Sequence, residues 1–181
     1  MTDIDPRFLE IFPSWLRTLG EDAAALGESI GKHPSGGKHD DAQRYLVAGL
    51  NYIFKSLDLI PDGIDDLGYM DDAFVLRLAA ALAASEDPAC KDGIVGRLSD
   101  EAKQVKDFLG DDYARLEAYV RALRKGAARG RTVEDVLADE PTKTAFLQEV
   151  AAWSKEYQTP SFTRDAKTLI KLKAFLSAKL A

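Results

Sequence analysis

The sequence is poor in the residues that form disulfides, thiolate metal sites and β-sheets. Of its 181 residues only Cys90 is a cysteine, which excludes an internal disulfide and a site built from several thiolates. Valine and isoleucine, with eight residues each, are far outnumbered by 26 alanines and 22 leucines. Because β-branched residues favour strands whereas alanine and leucine favour helices, the composition predicts an all-α fold.

Long apolar runs, a basic leader and an excess of positive charge are absent as well. The longest apolar stretch, residues 78–84, is too short to span a bilayer. The acidic N-terminal residues do not resemble a signal peptide, so we expect a cytoplasmic protein. A formal charge of −6 argues against a protein that binds nucleic acid over its whole surface.

The spacing of apolar residues predicts a single-domain bundle of about seven helices over residues 1–181. Pro13 is expected to end a short first helix and to begin a second that runs to about Ile30, because proline fits the first turn of a helix. Two later segments, residues 41–56 and 72–85, are apolar on almost every side, which is typical of helices at the centre of a bundle. We predict that they form a central buried hairpin.

The segment that joins these two helices, residues 57–72, is rich in aspartate and has no basic residue. Its six aspartates are Asp58, Asp62, Asp65, Asp66, Asp71 and Asp72. They alternate with apolar residues that should hold the loop against the core, so the carboxylates are kept close and raise one another's pKa. A folded structure relieves this repulsion by exposure, by helix capping, by an ion pair with Arg77 or by a bound cation.

In one interpretation the residues of this loop are structural. Asp71 or Asp72 would cap the second helix, and the aspartates on either side of Pro61 would stabilise a turn. Gly63 and Gly68 would supply backbone with positive φ. The nearby Arg77 would then form its ion pair with a carboxylate of the loop.

In the other interpretation the loop binds a divalent cation. Carboxylate oxygens are the ligands that Mg²⁺, Mn²⁺ and Ca²⁺ prefer in proteins. The candidate ligands are Asp58, Asp62, Asp66 and Asp71. Their spacing does not match the calcium-binding loop of an EF-hand. This interpretation implies a metal-dependent enzyme that acts on a phosphorylated substrate.

The same region resembles a known family. Three blocks carry the resemblance: Tyr45-Leu-Val-Ala-Gly-Leu-Asn-Tyr52, Leu57-Asp-Leu-Ile-Pro-Asp62 and Leu67-Gly-Tyr-Met-Asp-Asp72. Their order and spacing are similar to those of the YkvA-like domain of bacteria and archaea, over about residues 42–82. By this resemblance the motif positions are Asp58, Pro61, Asp62, Gly68, Asp71 and Asp72. Residues 56–57, Ser-Leu, depart from the Ser-Pro-Ile that is usual in the family. The resemblance implies a small helical domain of uncharacterised function, with some members associated with membranes.

Charge outside the loop is unevenly distributed. A basic run without acidic residues contains Arg121, Arg124, Lys125, Arg129 and Arg131, and the terminal helix adds Lys167, Lys171, Lys173 and Lys179. Our first functional hypothesis is therefore a non-enzymatic interaction or regulatory module, with two charged surfaces for a protein partner or a second copy. The alternatives are the metal-dependent enzyme and contact with a membrane surface through the basic terminal helix. No nucleic-acid partner is expected.

Overall fold

The computed structural model describes residues 4–32, 40–55, 59–61, 63–64, 66–91 and 93–180. Within these ranges eight α-helices and one two-stranded antiparallel hairpin form a single helical bundle, which confirms the predicted all-α class. The elements are α1 (Phe8–Gly31), α2 (Asp40–Tyr52), α3 (Met70–Glu86), α4 (Gly93–Leu109), α5 (Asp112–Ala122), β1 (Ala127–Ala128), β2 (Arg131–Thr132), α6 (Val133–Ala138), α7 (Glu140–Glu156) and α8 (Ala166–Leu180).

Helices α2 and α3 form the central hairpin that the sequence predicts. Fourteen of the 17 residues of α3 are buried, and this helix packs most extensively against α2 and α4. The close approach of α2 and α3 depends on small residues. A Cβ atom at Gly49 of α2 would lie only 2.8 Å from the Cβ of Ala79 in α3. The spacing between the two central helices is therefore set by the missing side chain of Gly49.

The ends of this hairpin differ from those predicted. Helix α2 ends at Tyr52, before the predicted residue 56, because the chain then turns. The backbone N–H groups of Ile53 and Phe54 donate to carbonyl oxygens three residues earlier, and both side chains are buried. Helix α3 begins at Met70, two residues earlier than predicted.

A single helix, α1, is found where the sequence predicted two helices separated at Pro13. Pro13 is the sixth residue of α1, so it lacks the N–H that would bond to the carbonyl of Leu9. The buried face of the helix continues past this position. The ring of Phe12 lies 5.1 Å from that of Phe74 and 4.9 Å from that of Phe108. This aromatic packing offsets the lost hydrogen bond, and the predicted break at Pro13 is wrong.

The remaining elements surround the hairpin. Helix α1 packs along α7, and α8 contacts α5 and α1. Strands β1 and β2 are joined by a two-residue turn in which Arg129 and Gly130 have φ angles of 52° and 77°, as in a type I′ turn. None of the helices in the described ranges has the length and apolarity that crossing a bilayer requires.

The close contact at Gly49 can be tested by filling it. We expect Gly49→Val to lower the free energy of unfolding by about 2–3 kcal/mol, because the added methyl groups must displace Ala79. Urea denaturation followed by circular dichroism measures this loss. The matched control is Ala145→Val, at an exposed position of α7, where only the helix propensity changes and about 0.5 kcal/mol is expected. Equal losses for the two variants would contradict the close packing.

Candidate functional site

The described part of the aspartate-rich loop is organised by Tyr52, the last residue of α2. Its hydroxyl accepts a hydrogen bond from the backbone N–H of Leu59, at 2.7 Å, and donates one to Oδ2 of Asp71, at 2.5 Å. The same Oδ2 atom accepts a hydrogen bond from the backbone N–H of Ile60, at 3.2 Å. Tyr52 and Asp71 are both buried. The end of α2, the loop backbone and the start of α3 are thus joined at one buried point.

The electrostatics of this point keep Tyr52 protonated. Burial raises the pKa of the Tyr52 hydroxyl far above its ordinary value, and the charges of Asp71 and Asp72 raise it further. The hydroxyl is therefore protonated at neutral pH and donates toward Asp71. Two hydrogen bonds occupy Oδ2 of Asp71, which matches the acceptor capacity of one carboxylate oxygen.

A second set of contacts ties the loop to the segment between α7 and α8. Oδ1 of Asp66 accepts hydrogen bonds from the backbone N–H of Thr163, at 2.8 Å, and from its hydroxyl, at 3.0 Å. The backbone N–H of Asp66 donates to the hydroxyl of Ser161, at 3.4 Å. Residues almost a hundred positions apart in the chain are therefore held together by this carboxylate.

Tyr69 makes the corresponding aromatic contact. It precedes α3 with a φ angle of 68°, and its ring centroid lies 5.3 Å from that of Tyr157 and 6.3 Å from that of Trp153. A left-handed backbone is unfavourable for a residue other than glycine, at a cost of about 1 kcal/mol. The packing of three aromatic rings offsets this cost and fixes the loop against α7.

Several structural predictions for the loop are wrong in detail. Asp71 and Asp72 do not cap α3 but lie buried inside its first turn, and the residue at the cap position is Tyr69. The positive φ angles expected at Gly63 and Gly68 occur instead at Asp66 and Tyr69. Gly68 is buried and donates its N–H to the carbonyl of Ile64, at 2.9 Å.

The expected turn at Pro61 is present. The carbonyl oxygen of Pro61 accepts a hydrogen bond from the N–H of Ile64, at 3.1 Å, and the proline ring is exposed. Two of the four predicted metal ligands, Asp58 and Asp62, lie outside the described residues. The other two, Asp66 and Asp71, belong to separate hydrogen-bond networks. Within the ranges that the structure describes, no group of three or more histidine, cysteine, aspartate or glutamate residues is arranged to hold a metal ion.

Among the described residues, the carboxylates that pair with Arg77 belong to α1 and α4 and not to the loop, in contrast to the prediction. Its side chain is fully buried, with one terminal nitrogen 3.2 Å from Oε1 of Glu101 in α4 and 3.6 Å from Oδ2 of Asp22 in α1. The other terminal nitrogen donates to the carbonyl oxygen of Ala73, at 3.0 Å. The guanidinium also lies 3.9 Å from the ring centroid of Trp15. The partners of Arg77 come from the two helices on either side of α3.

A second arginine, whose side chain is exposed, completes this ion cluster around the buried Arg77 and Asp22. Arg97 of α4 pairs with Asp22 and, at 3.1 Å, with Glu101, so two cations face two anions. The hydroxyl of Thr18 donates to Oδ2 of Asp22, at 3.0 Å. Burial lowers the pKa of Arg77 to about 10, while the charges of Glu101 and Asp22 oppose the change. Arg77 is therefore charged at neutral pH, and the cluster stabilises the contact between α1, α3 and α4.

The partners of Asp66, Asp71 and Arg77 were not predicted from the sequence. One signal for the ion cluster was available: Asp22 lies on the buried stripe of α1, between Leu19 and Leu26, where a carboxylate must have a partner. No comparable signal existed for Tyr52 or Thr163, since a hydroxyl or a backbone N–H at a distant position carries no sequence pattern of its own.

Comparison with known proteins adds no assignment. No model of a protein family matches the chain, and no curated protein or solved structure is similar to it. The resemblance of residues 42–82 to the YkvA-like domain therefore stays a prediction. The function must be argued from the residues themselves.

The buried hydroxyl of Tyr52 makes a measurable contribution to stability. We expect Tyr52→Phe to lower the free energy of unfolding by about 2–3 kcal/mol, because the buried N–H of Leu59 loses its acceptor and Asp71 loses a donor. The control is Tyr113→Phe on α5, a half-buried tyrosine with no hydrogen bond from its hydroxyl in the described structure, where a change within about 0.5 kcal/mol is expected. Chemical denaturation of both variants decides the matter, and equal stabilities would contradict the proposed role of Tyr52.

The buried ion cluster predicts a large effect at Arg77 and a small one at an exposed arginine. We expect Arg77→Met to lower the free energy of unfolding by about 3 kcal/mol or more, because Asp22 and Glu101 then share a single cation. Arg164→Met removes an exposed pair with Glu10 and should cost less than about 1 kcal/mol. Denaturation curves for the two variants give both values. A loss at Arg77 no larger than that at Arg164 would show that the cluster is not stabilising.

Proposed function

We propose that the protein is a non-enzymatic interaction module, in which the aspartate-rich loop stabilises the fold and the charged surface contacts a partner. One observation carries this proposal: two carboxylates of the loop, those of Asp66 and Asp71, accept hydrogen bonds from the protein itself. Asp71 accepts from Tyr52 and from the backbone of Ile60, and Asp66 accepts twice from Thr163. Carboxylates used in this way hold the chain together.

A metal-dependent active site would need a different arrangement. Several carboxylate oxygens would have to point toward one position that is open to substrate. Asp66 and Asp71 instead point their bonded oxygens at different segments of the chain. Four clefts in the described part of the molecule have volumes of about 20, 180, 230 and 280 Å³, and neither aspartate lines any of them. Sites for small-molecule ligands are commonly larger, at about 300–1,000 Å³.

Contact with a membrane surface through α8 has weaker support. Leu169, Leu172 and Leu176 of this helix are buried against the bundle, so its apolar face is already used. Among the described residues, Ile170 is the one large apolar side chain that is exposed. A helix that binds a bilayer interface needs a continuous apolar face for insertion.

We also propose that residues 42–85 are the counterpart of the YkvA-like core. The order of elements supports this, since an apolar helix, an aspartate-containing loop and a second buried helix follow one another at the motif positions. In this proposal the motif residues have structural roles. Asp71 accepts hydrogen bonds from Tyr52 and Ile60, and the N–H of Gly68 donates to the carbonyl of Ile64.

The proposal is tested by measuring metal binding and stability together. We expect no binding heat for Mg²⁺, Mn²⁺ or Ca²⁺ by calorimetry and no change in Tm, because Asp66 and Asp71 already accept hydrogen bonds from different parts of the protein. Asp71→Asn should lower the free energy of unfolding by about 2 kcal/mol with or without these ions. The control, Asp107→Asn at an exposed position of α4, should leave stability within about 0.5 kcal/mol.

A rise in Tm on addition of these ions would contradict the proposal. A rise in Tm of roughly 5 °C or more at an ion concentration about a hundredfold above Kd would indicate a specific site. If that rise were lost in Asp62→Asn/Asp66→Asn, the loop would bind the ion and the metal-dependent alternative would replace the proposal.

A further inference from the structure

A cleft surrounded by basic residues lies beside α2. It is formed by one face of α2 and by the segment that joins α5 to β1, and its volume is about 20 Å³. The lining residues are Ala48, Asn51, Tyr52, Lys55, Leu123, Gly126, Ala127 and Ala128. Four cations line the cleft or adjoin its lining residues in the chain: Lys55, Arg124, Lys125 and Arg129. Below, the term basic cleft refers to this cleft together with these four cations.

The four cations of the basic cleft differ from their neighbours in having no carboxylate partner. Arg121 lies 3.1 Å from Glu117, and Arg131 pairs with Glu149. No such pair involves the four cations anywhere in the described ranges. No carboxylate of the described residues therefore neutralises their positive charge, although the chain as a whole is acidic.

Aromatic rings contact three of these four cations, Lys55, Arg124 and Arg129. The guanidinium of Arg124 lies 4.6 Å from the ring centroid of Tyr45, and that of Arg129 lies 4.5 Å from the ring centroid of Phe54. The ammonium of Lys55 lies 5.3 Å from the centroid of another tyrosine ring. Stacking restricts the side chains. The Nε–H of Arg124 donates to the carbonyl oxygen of Arg121, at 3.1 Å, and its terminal N–H groups are left for contact with an anion. Binding then costs less conformational entropy than it would for unrestrained arginines.

We propose that the basic cleft binds an acidic polypeptide segment of a partner protein, an inference that rests on the proposed function. Asn51 lines the cleft and is 5% exposed; its Nδ2 donates to the carbonyl oxygen of Arg131, at 3.3 Å, and its Oδ1 has no hydrogen-bond partner among the described residues. A polypeptide supplies several carboxylates along one chain, which suits cations that lie beside Tyr45, beside Phe54 and at Lys55. A single phosphate group offers its acceptors at one point only.

The surroundings of the cleft also favour a polypeptide over a bilayer. The cations adjoin a concave surface between a helix and a β-hairpin, whereas a membrane presents a broad, nearly flat surface. Among the described residues, the one large apolar side chain that is exposed is Ile170, and it lies on α8. The described residues of the cleft therefore offer no exposed large apolar side chain for insertion into lipid. Carboxylates that alternate with small residues along an extended chain would contact successive cations.

The test uses the full chain and a fluorescent peptide in which Asp and Glu alternate with Gly. We expect an increase in anisotropy that weakens with added salt, and no binding of the matched Asn/Gln peptide. Lys125→Glu/Arg129→Glu should weaken binding about tenfold or more, because like charges then face the peptide. The control, Lys167→Glu/Lys171→Glu, makes the same change in net charge at exposed positions of α8 and should change Kd less than about twofold.

A charge-reversed peptide keeps the test informative. Circular dichroism first checks that the variants are folded, and a peptide in which Lys and Arg alternate with Gly should then bind Lys125→Glu/Arg129→Glu better than the parent chain. Equal weakening in the cleft variant and in the α8 variant would overturn the proposal. So would binding to phosphatidylserine vesicles, lost in the cleft variant, without binding of the acidic peptide.

Self-association is the remaining outcome. A salt-dependent dimer that is lost in Lys125→Glu/Arg129→Glu, with no peptide binding, would assign the basic cleft to a second copy and overturn the proposal. Failure of peptide binding would leave the metal and stability measurements on the aspartate-rich loop unchanged, so the two proposals can fail separately.

Discussion

The buried carboxylate of Asp71 imposes a constraint that shapes the whole centre of the molecule. A carboxyl group inside a protein must have hydrogen-bond partners, because removal from water without them costs several kcal/mol. The donors at Asp71 are the hydroxyl of Tyr52 and the backbone of Ile60. The loop must therefore fold back on the end of α2 so that these groups reach the carboxylate. The conformation of the aspartate-rich segment follows from this requirement.

Helix α3 also explains why buried charges are found in an otherwise apolar core. A helix that is apolar on all sides has no preferred face, and packing alone does not fix its rotation. Asp71 in its first turn and Arg77 about one and a half turns later have partners in different directions. The hydrogen bonds of Asp71 and the ion pairs of Arg77 form together at a single rotation of α3 about its axis and a single position along that axis. We infer that these two residues set the orientation of α3 between its neighbours, a role that buried polar groups have in some other proteins.

The sequence was sufficient to predict the helical class and the central hairpin, because alanine and leucine content and the apolar pattern of α2 and α3 depend on local spacing. It was insufficient at Pro13, where the aromatic contacts of Phe12 with distant rings outweigh a local helix-breaking preference. The partners of Asp66 and Arg77 could not be predicted either. These contacts join residues far apart in the chain, so the sequence indicated charged groups that need partners without indicating which ones.

The two tryptophans lie beside the two arrangements that hold the molecule together. Trp15 lies under the guanidinium of Arg77, whereas Trp153 packs near Tyr69 at the end of the aspartate-rich loop. Indole emission responds to the polarity and the charges around the ring. A chain that retains one tryptophan at a time would thus report optically on opening of the helix core or on release of the loop, without an attached dye.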